Sequence, residues 1–396
     1  MRFATRMERV QPSAIRELLR LGDDPTITSF GGGYPDPATF PVTALRAAYE
    51  QVLTTSARTA LQYTATVGLP QLRAQVAARL TADGAPTGSD DVLILQGAQQ
   101  GLDFVAKLLL DPGDLVVTDN PTFLGALIAF NPYEPSYLGV PGDDEGMDTA
   151  ALESELAGGA RPRFVYVVPD FANPTGTTMS LARRRHLLEL AQRYDFLVLE
   201  DTPYRALRFA GEPVPTLRAL DTAGRVVHLG SFSKILAPGL RLGWVAAAPE
   251  LLEPLGLLKL AADTQTATLS MSVTARLLTD FDLDEHIAVI RERYGHKRDL
   301  MVTTMRETFP GEVSFTEPDG GLFTWVTFPE GFDAADFMAR VPLPQARVAY
   351  VPGATFYPVR QEANHARFSY SGVADDVMVD AVGRLGELLG AELSRR

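Results

Sequence analysis

From about residue 68 the chain alternates short apolar runs with longer stretches in which apolar residues recur three and four apart. That pattern predicts helix 70–81, strand 92–95, helix 98–110, strand 115–117, helix 122–130, strand 164–168, helix 180–194, strand 196–199 and strand 226–229. Ser180 is placed to cap helix 180–194. The run Phe164-Val-Tyr-Val-Val168 is continuously apolar, as expected of a strand buried on both faces. Strand and helix in alternation predict an α/β fold with a mostly parallel central sheet flanked by helices.

The texture changes after about residue 285. A long helical pattern over 284–308 precedes an alternating run over 321–328, short strand candidates at 348–351 and 367–370, and a closing helix over 374–393. These elements predict a smaller α+β domain. Upstream, residues 12–20 read as a short helix capped by Ser13, and the Gly/Pro-rich stretch 31–37 as a loop. Both precede the first regular strand–helix unit and are assigned to the smaller domain. The predicted division is a large domain over 46–285 and a small domain formed by 1–45 and 286–396.

Composition narrows the functional classes. A chain of 396 residues, 46% hydrophobic and 21% charged, favours two globular domains. It has no cysteine, which excludes disulfides, thiolate metal sites and cysteine nucleophiles and fits a reducing compartment; the expected location is cytoplasmic. A net charge of −13 disfavours nucleic acid and anionic membranes as partners. No stretch of about 18 apolar residues is present to span a bilayer, and the first residues lack the apolar core of a signal peptide. The five histidines are scattered without ligand spacing, so no metal site is expected. Arg183-Arg-Arg185 reads as a solvated helix face.

Ligands of parallel α/β sheets bind at the carboxyl ends of the strands, so the residues after each strand carry the chemistry. Strand 92–95 leads into Gln96-Gly-Ala98-Gln99, where a helix N-terminus and a glycine suit a phosphate. Strand 115–117 is followed by a segment ending in Phe123, an aromatic able to stack on a flat ring and equally a core residue. After strand 164–168 comes Asn173-Pro-Thr-Gly176, which is also plain turn chemistry. Strand 196–199 ends in Asp201 with Tyr204 beyond it; a buried aspartate needs a partner, which a helix N-terminus or a protonated pyridine nitrogen would supply. Strand 226–229 ends in Ser231-Phe-Ser233-Lys234, with Arg241 seven residues on. A lysine amine suits a carbonyl, and serines with an arginine suit a phosphate. Pyridoxal 5'-phosphate carries both groups on one ring, and enzymes using it hold it through a lysine Schiff base.

These motifs, in this order and spacing, resemble fold-type I pyridoxal-phosphate enzymes of the class I/II aminotransferase family. Further blocks at Ser13–Leu19, Ser29–Pro37, Leu61–Pro70, Pro238–Arg241 and Pro318–Trp325 are most similar to its 2-aminoadipate and kynurenine aminotransferase II-like branch. The resemblance implies a Schiff base at Lys234, Asp201 on the pyridine nitrogen, Asn173 and Tyr204 on the ring 3'-oxygen, and Phe123 on the ring face. It implies phosphate contacts from Ala98, Gln99, Ser231, Ser233 and Arg241. It also implies a homodimer with shared active sites, in which Tyr63 reaches the phosphate across the interface. Arg367 matches the arginine that takes the substrate α-carboxylate, Gly33 lies in the substrate loop, and Arg16, or Arg20 one turn on, matches an arginine that meets the distal carboxylate of acidic substrates. Three departures bear on substrate preference: Ala98 stands for a serine, Phe123 for a tyrosine and Val67 for a glutamate.

The activity implied is amino transfer from an L-α-amino acid (2-aminoadipate, glutamate, branched-chain or aromatic) to a 2-oxo acid such as 2-oxoglutarate, by a ping-pong route. A β-lyase or decarboxylase would share the same ring anchors. A PLP-sensing regulator domain is a third reading, disfavoured because the enzyme-like pattern begins within the first 15 residues and the charge is acidic.

Overall fold

The computed structural model describes residues 3–10 and 24–395. The expected helix at 12–20, with Ser13, Arg16 and Arg20, lies outside the described residues. Fourteen strands are seen among those described: β1 (Thr28–Ser29), β2 (Val92–Leu95), β3 (Leu115–Asn120), β4 (Ser136–Asp143), β5 (Gly146–Met147), β6 (Pro162–Val167) and β7 (Leu197–Asp201). They continue with β8 (Val226–Ser231), β9 (Gly243–Ala246), β10 (Ser314–Phe315), β11 (Phe323–Thr327), β12 (Val348–Ala349), β13 (Val351–Pro352) and β14 (His365–Ser369).

Eight strands form the central sheet in the order β2-β9-β8-β7-β6-β3-β4-β5. Its middle is parallel, as the continuous apolar runs predict, and β9 runs antiparallel between β2 and β8. The sequence pattern does not mark β9, because its four residues follow directly on the Lys234 segment and look like part of the same loop. A second sheet, β10-β11-β14-β13, is antiparallel. The N-terminal β1 pairs in parallel with β12, which ties the segment before the first strand–helix unit to the C-terminal part of the chain.

Strand β7 extends two residues further than the apolar run 196–199, taking in Glu200 and Asp201. Glu200 tolerates this buried position because its carboxylate is fully engaged. It accepts from Leu217 N at 2.6 Å and Arg218 N at 3.1 Å, and it meets His228 Nδ1 at 2.8 Å. Helix Leu181–Tyr194 starts where expected, with Ser180 Oγ accepting from Arg183 N. Helices Val42–Thr55, Pro249–Asp263 and Thr268–Asp280 are additional to the predicted set. Pro254 and Gly256 in the middle of the second of these lower its intrinsic helix propensity and hide it from pattern reading. No helix among the described residues is long and apolar enough to cross a membrane.

Candidate active site

The carboxyl ends of β6, β7 and β8 converge with β14 and the loop after β1. Lys234 lies three residues beyond β8, and the chain then turns back through Pro238–Leu240 into β9. Its Nζ donates to Gly33 O at 2.8 Å. Burial pushes the ammonium down to about 8, and the positive charges of Arg367 and then Arg241 add to the effect. A lysine in that range supplies neutral amine near physiological pH, which a nucleophile or base requires.

Asp201 closes β7. Tyr166 Oη donates to its Oδ2 at 3.0 Å, while Oδ1 is buried with no partner. Burial pushes the carboxyl up to about 6, opposed by the Tyr166 hydrogen bond and the charge of His228. Asn173, in the loop after β6, is buried and two-sided. Its Nδ2 donates to Tyr204 Oη at 3.4 Å, and its Oδ1 accepts from Arg367 Nη1 at 2.8 Å. The Tyr204 hydroxyl is pushed up to about 12, mainly by burial.

Arg367 is 3% exposed. Nη2 donates to Gly31 O at 2.7 Å, and Nε is buried without a partner. The guanidinium lies 4.2 Å from the ring centroid of Phe323 and 5.1 Å from that of Phe356. Burial draws its pKa down to about 10. Phe323 also meets Tyr204 edge-on and packs so closely on Gly33 that a Cβ there would lie 2.7 Å from its ring.

A cradle forms where helix Ala98–Leu109 begins. Gly97 has φ +81°, and a Cβ on it would lie 2.6 Å from Arg241 Nη2. A Cβ on Gly243 would lie 2.7 Å from Ala98 N. Arg241 and the free amide end of this helix therefore share one small space, with Ser231 and Ser233 beside it; Ser231 Oγ accepts from Ser233 N at 3.0 Å. The Gln99 side chain donates to Gly125 O at 2.6 Å. The Phe123 ring lies across Gly125, where a Cβ would be 2.3 Å from the ring. Tyr63 is 80% exposed on the single chain.

The described candidates thus gather at one place, with Tyr63 apart on the surface. The residues present fit pyridoxal phosphate: a buried carboxylate oxygen lacks a partner, a glycine cradle at a helix N-terminus faces an arginine, and a half-buried lysine is partly neutral. Sequence reasoning did not single out Tyr166, Phe323 or the Gly31 carbonyl. Phe323 lies within the resembling block 318–325, which was a usable signal; Tyr166 looks like any residue of an apolar strand. A cleft of about 960 Å³ shares Asn173 with this cluster but is not lined by Lys234, Asp201 or Arg367.

Comparison with known proteins shows the family. The model of the family "Aminotransferase class I and II" matches residues 28–385. The aromatic-amino-acid aminotransferase 1 of Thermococcus litoralis is 39% identical, covering 99% of this chain and 95% of that protein. A kynurenine aminotransferase of Pyrococcus horikoshii superposes with a TM-score of 0.94 at 40% identity over 99% of this chain and 97% of that one. The α-aminoadipate aminotransferase of Thermus thermophilus, crystallised with N-(5'-phosphopyridoxyl)-L-leucine, superposes with a TM-score of 0.92 at 36% identity, covering 100% and 98%. The chain belongs to the class I and II aminotransferases: it is a pyridoxal-phosphate-dependent aminotransferase of fold type I, in the branch of the 2-aminoadipate and kynurenine enzymes.

Proposed function

We propose that the chain moves the amino group of an L-α-amino acid to 2-oxoglutarate or a related 2-oxo acid in two successive half-reactions. The observation that carries this is the pairing of a half-buried, partly neutral Lys234 with a buried Arg367 in one cluster. Arg367 offers a planar fork to the α-carboxylate common to both substrates. Relatives named for aromatic amino acids, kynurenine and 2-aminoadipate support a donor among aromatic or acidic amino acids, with glutamate and branched-chain amino acids as further candidates.

When bound, pyridoxal phosphate supplies a ring that accepts the electrons freed at the substrate Cα. The chain's own residues then divide the remaining work. Lys234 would hold the cofactor and would carry a proton from the substrate Cα. Asp201 would hold the pyridine nitrogen and keep it protonated. Asn173 and Tyr204 would hold the 3'-oxygen, and Phe123 would pack on the ring. The amides of Ala98 and Gln99, the hydroxyls of Ser231 and Ser233 and the Arg241 guanidinium would hold the phosphate. Gly33 keeps the substrate loop thin where Phe323 presses on it. Arg16 or Arg20 would meet a distal carboxylate.

Exposed Leu61 and Tyr63 belong, in this reading, to a homodimer interface through which Tyr63 reaches the partner's phosphate. The division into a large domain over 46–285 and a small domain over 1–45 and 286–396 belongs to the same reading, as does a cytoplasmic location.

The test is a half-reaction. Protein loaded with cofactor is mixed in turn with glutamate, 2-aminoadipate, leucine and an aromatic amino acid, and the cofactor absorbance and the 2-oxo acid are followed. The pyridoxamine form and the 2-oxo acid should appear in equal amounts. Silence with all four amino acids overturns the reading, and release of ammonia or CO2 instead would favour a β-lyase or decarboxylase.

A further inference from the structure

One buried hydroxyl beside the site has no role so far. Tyr166 is fully buried on β6, and its Oη donates to Asp201 Oδ2 at 3.0 Å. The strands pair Tyr166 with Leu199, so Asp201 is the next residue on the same face of β7 and lies within diagonal reach of a long side chain. The ring is held in place: Phe130, at the end of helix Leu124–Phe130, meets it edge-on at 5.7 Å and meets Phe164 edge-on at 5.3 Å.

The other titratable groups nearby do not bond to Asp201. His228, from β8, is engaged by Glu200 through Nδ1 and by Thr202 through Nε2 at 3.3 Å. Asp119, from β3, and Tyr204, beyond β7, act on the Tyr166–Asp201 pair only through their charge. Tyr166 is therefore the only side chain among the described residues that hydrogen-bonds the Asp201 carboxylate, and it occupies one oxygen while the other remains unpartnered. A carboxylate free to rotate could present either oxygen, or neither squarely. With Oδ2 held, only Oδ1 is presented.

We propose that Tyr166 is a positioning residue of the cofactor site, its hydroxyl fixing Asp201 Oδ2 so that Oδ1 alone meets the pyridine nitrogen. This rests on the reading that Asp201 faces that nitrogen. The test compares wild type, Tyr166→Phe, Asp201→Asn and the double variant by pyridoxal-phosphate titration of the apo-proteins and by the pH midpoint of the bound cofactor's absorbance.

Tyr166→Phe keeps the ring and its packing. It should weaken cofactor binding by about tenfold, the scale of a hydrogen bond to a charged group, and shift the absorbance midpoint. In the Asp201→Asn background the same change should cost less than about twofold, because there is no charge left to position. Wild-type binding and spectrum in Tyr166→Phe, with Asp201→Asn impaired, overturns the role of Tyr166 and leaves that of Asp201 standing. An equal loss in both backgrounds also overturns it, since Tyr166 would then act through packing. An unimpaired Asp201→Asn overturns both. Should Tyr166→Phe fail to fold, Phe130→Leu, which loosens the ring but keeps the hydroxyl, must weaken binding in wild type and not in Asp201→Asn; equal losses overturn the proposal.

Discussion

Arg367 Nη1 donates to Asn173 Oδ1 at 2.8 Å, joining β14 of the four-stranded sheet to the loop after β6 of the eight-stranded one. Asn173 in turn donates to Tyr204, so the group assigned to the substrate carboxylate and two groups assigned to the cofactor form one chain of hydrogen bonds.

Arg367→Lys should therefore be far from conservative. Lysine cannot bond Asn173 and Gly31 in a planar fork, nor receive a carboxylate bidentately. We expect kcat/KM for amino donors to fall by about a hundredfold or more, a loss on the scale of two charge-assisted hydrogen bonds, with cofactor affinity much less affected. Rates of the half-reaction against donor concentration check this; a loss below threefold contradicts the assignment.

Lys234 makes a pH prediction for the apo-protein. A lysine of ordinary pKa 10.5 would be almost wholly charged at pH 8, whereas Lys234, drawn down to about 8, is half neutral there. Its reaction with a small uncharged acylating reagent should rise with pH and level off above a midpoint near 8. Peptide mapping of the modified lysine after short exposures measures this. A midpoint at the ordinary value would mean that the burial around Lys234 does not persist in solution.

Asp201 makes the opposite kind of prediction, about stability. Its carboxyl is raised from 3.8 to about 6 in the folded apo-protein. Between those two values the folded state keeps a proton that the unfolded chain has lost. Stability from this group is thus fully present below 3.8, declines as pH rises and is gone above about 6. Apo Asp201→Asn, which cannot ionise, should be more stable than apo wild type at pH 8 by on the order of 2 kcal/mol, and the difference should vanish near pH 4. Denaturant unfolding across that range tests it; parallel curves would refute it. The same substitution should weaken cofactor binding, so one residue would trade apo stability for ligand affinity.

Gly97 tests the cradle. Alanine there must hold φ +81° and place its Cβ 2.6 Å from Arg241 Nη2. The backbone strain is about 1–2 kcal/mol, and Arg241 must move away. Pyridoxal-phosphate affinity should drop by about tenfold, read by titration of the apo-protein, with the fold unchanged by circular dichroism.

Much of this site was legible from the chain because its parts follow strands in sequence. Lys234, Asp201, Asn173 and the Gly97 turn each lie within a few residues of an apolar run that reads plainly as a buried strand. What escaped notice depends on contacts between distant segments. Tyr166 matters because β7 lies beside β6, and the Gly31 carbonyl because β1 pairs with β12 and brings its loop under Arg367. Neither relation leaves a local mark in the sequence. The antiparallel β9 escaped for a related reason: only its neighbours in the sheet distinguish four residues after a loop from the loop itself.

The split of the cluster across separate sheets has an evolutionary consequence. Lys234, Asp201 and Asn173 are anchored to the central sheet, while Arg367 and the Gly31–Gly33 loop belong to β14 and the β1–β12 pair. The two sets are nevertheless bonded to each other, through Arg367 to Asn173 and through Lys234 to the Gly33 carbonyl, so a change in one is felt by the other. Such an arrangement couples the histories of the two sheets, and for protein engineering it means that the 31–33 loop and its partners on the central sheet have to be varied together.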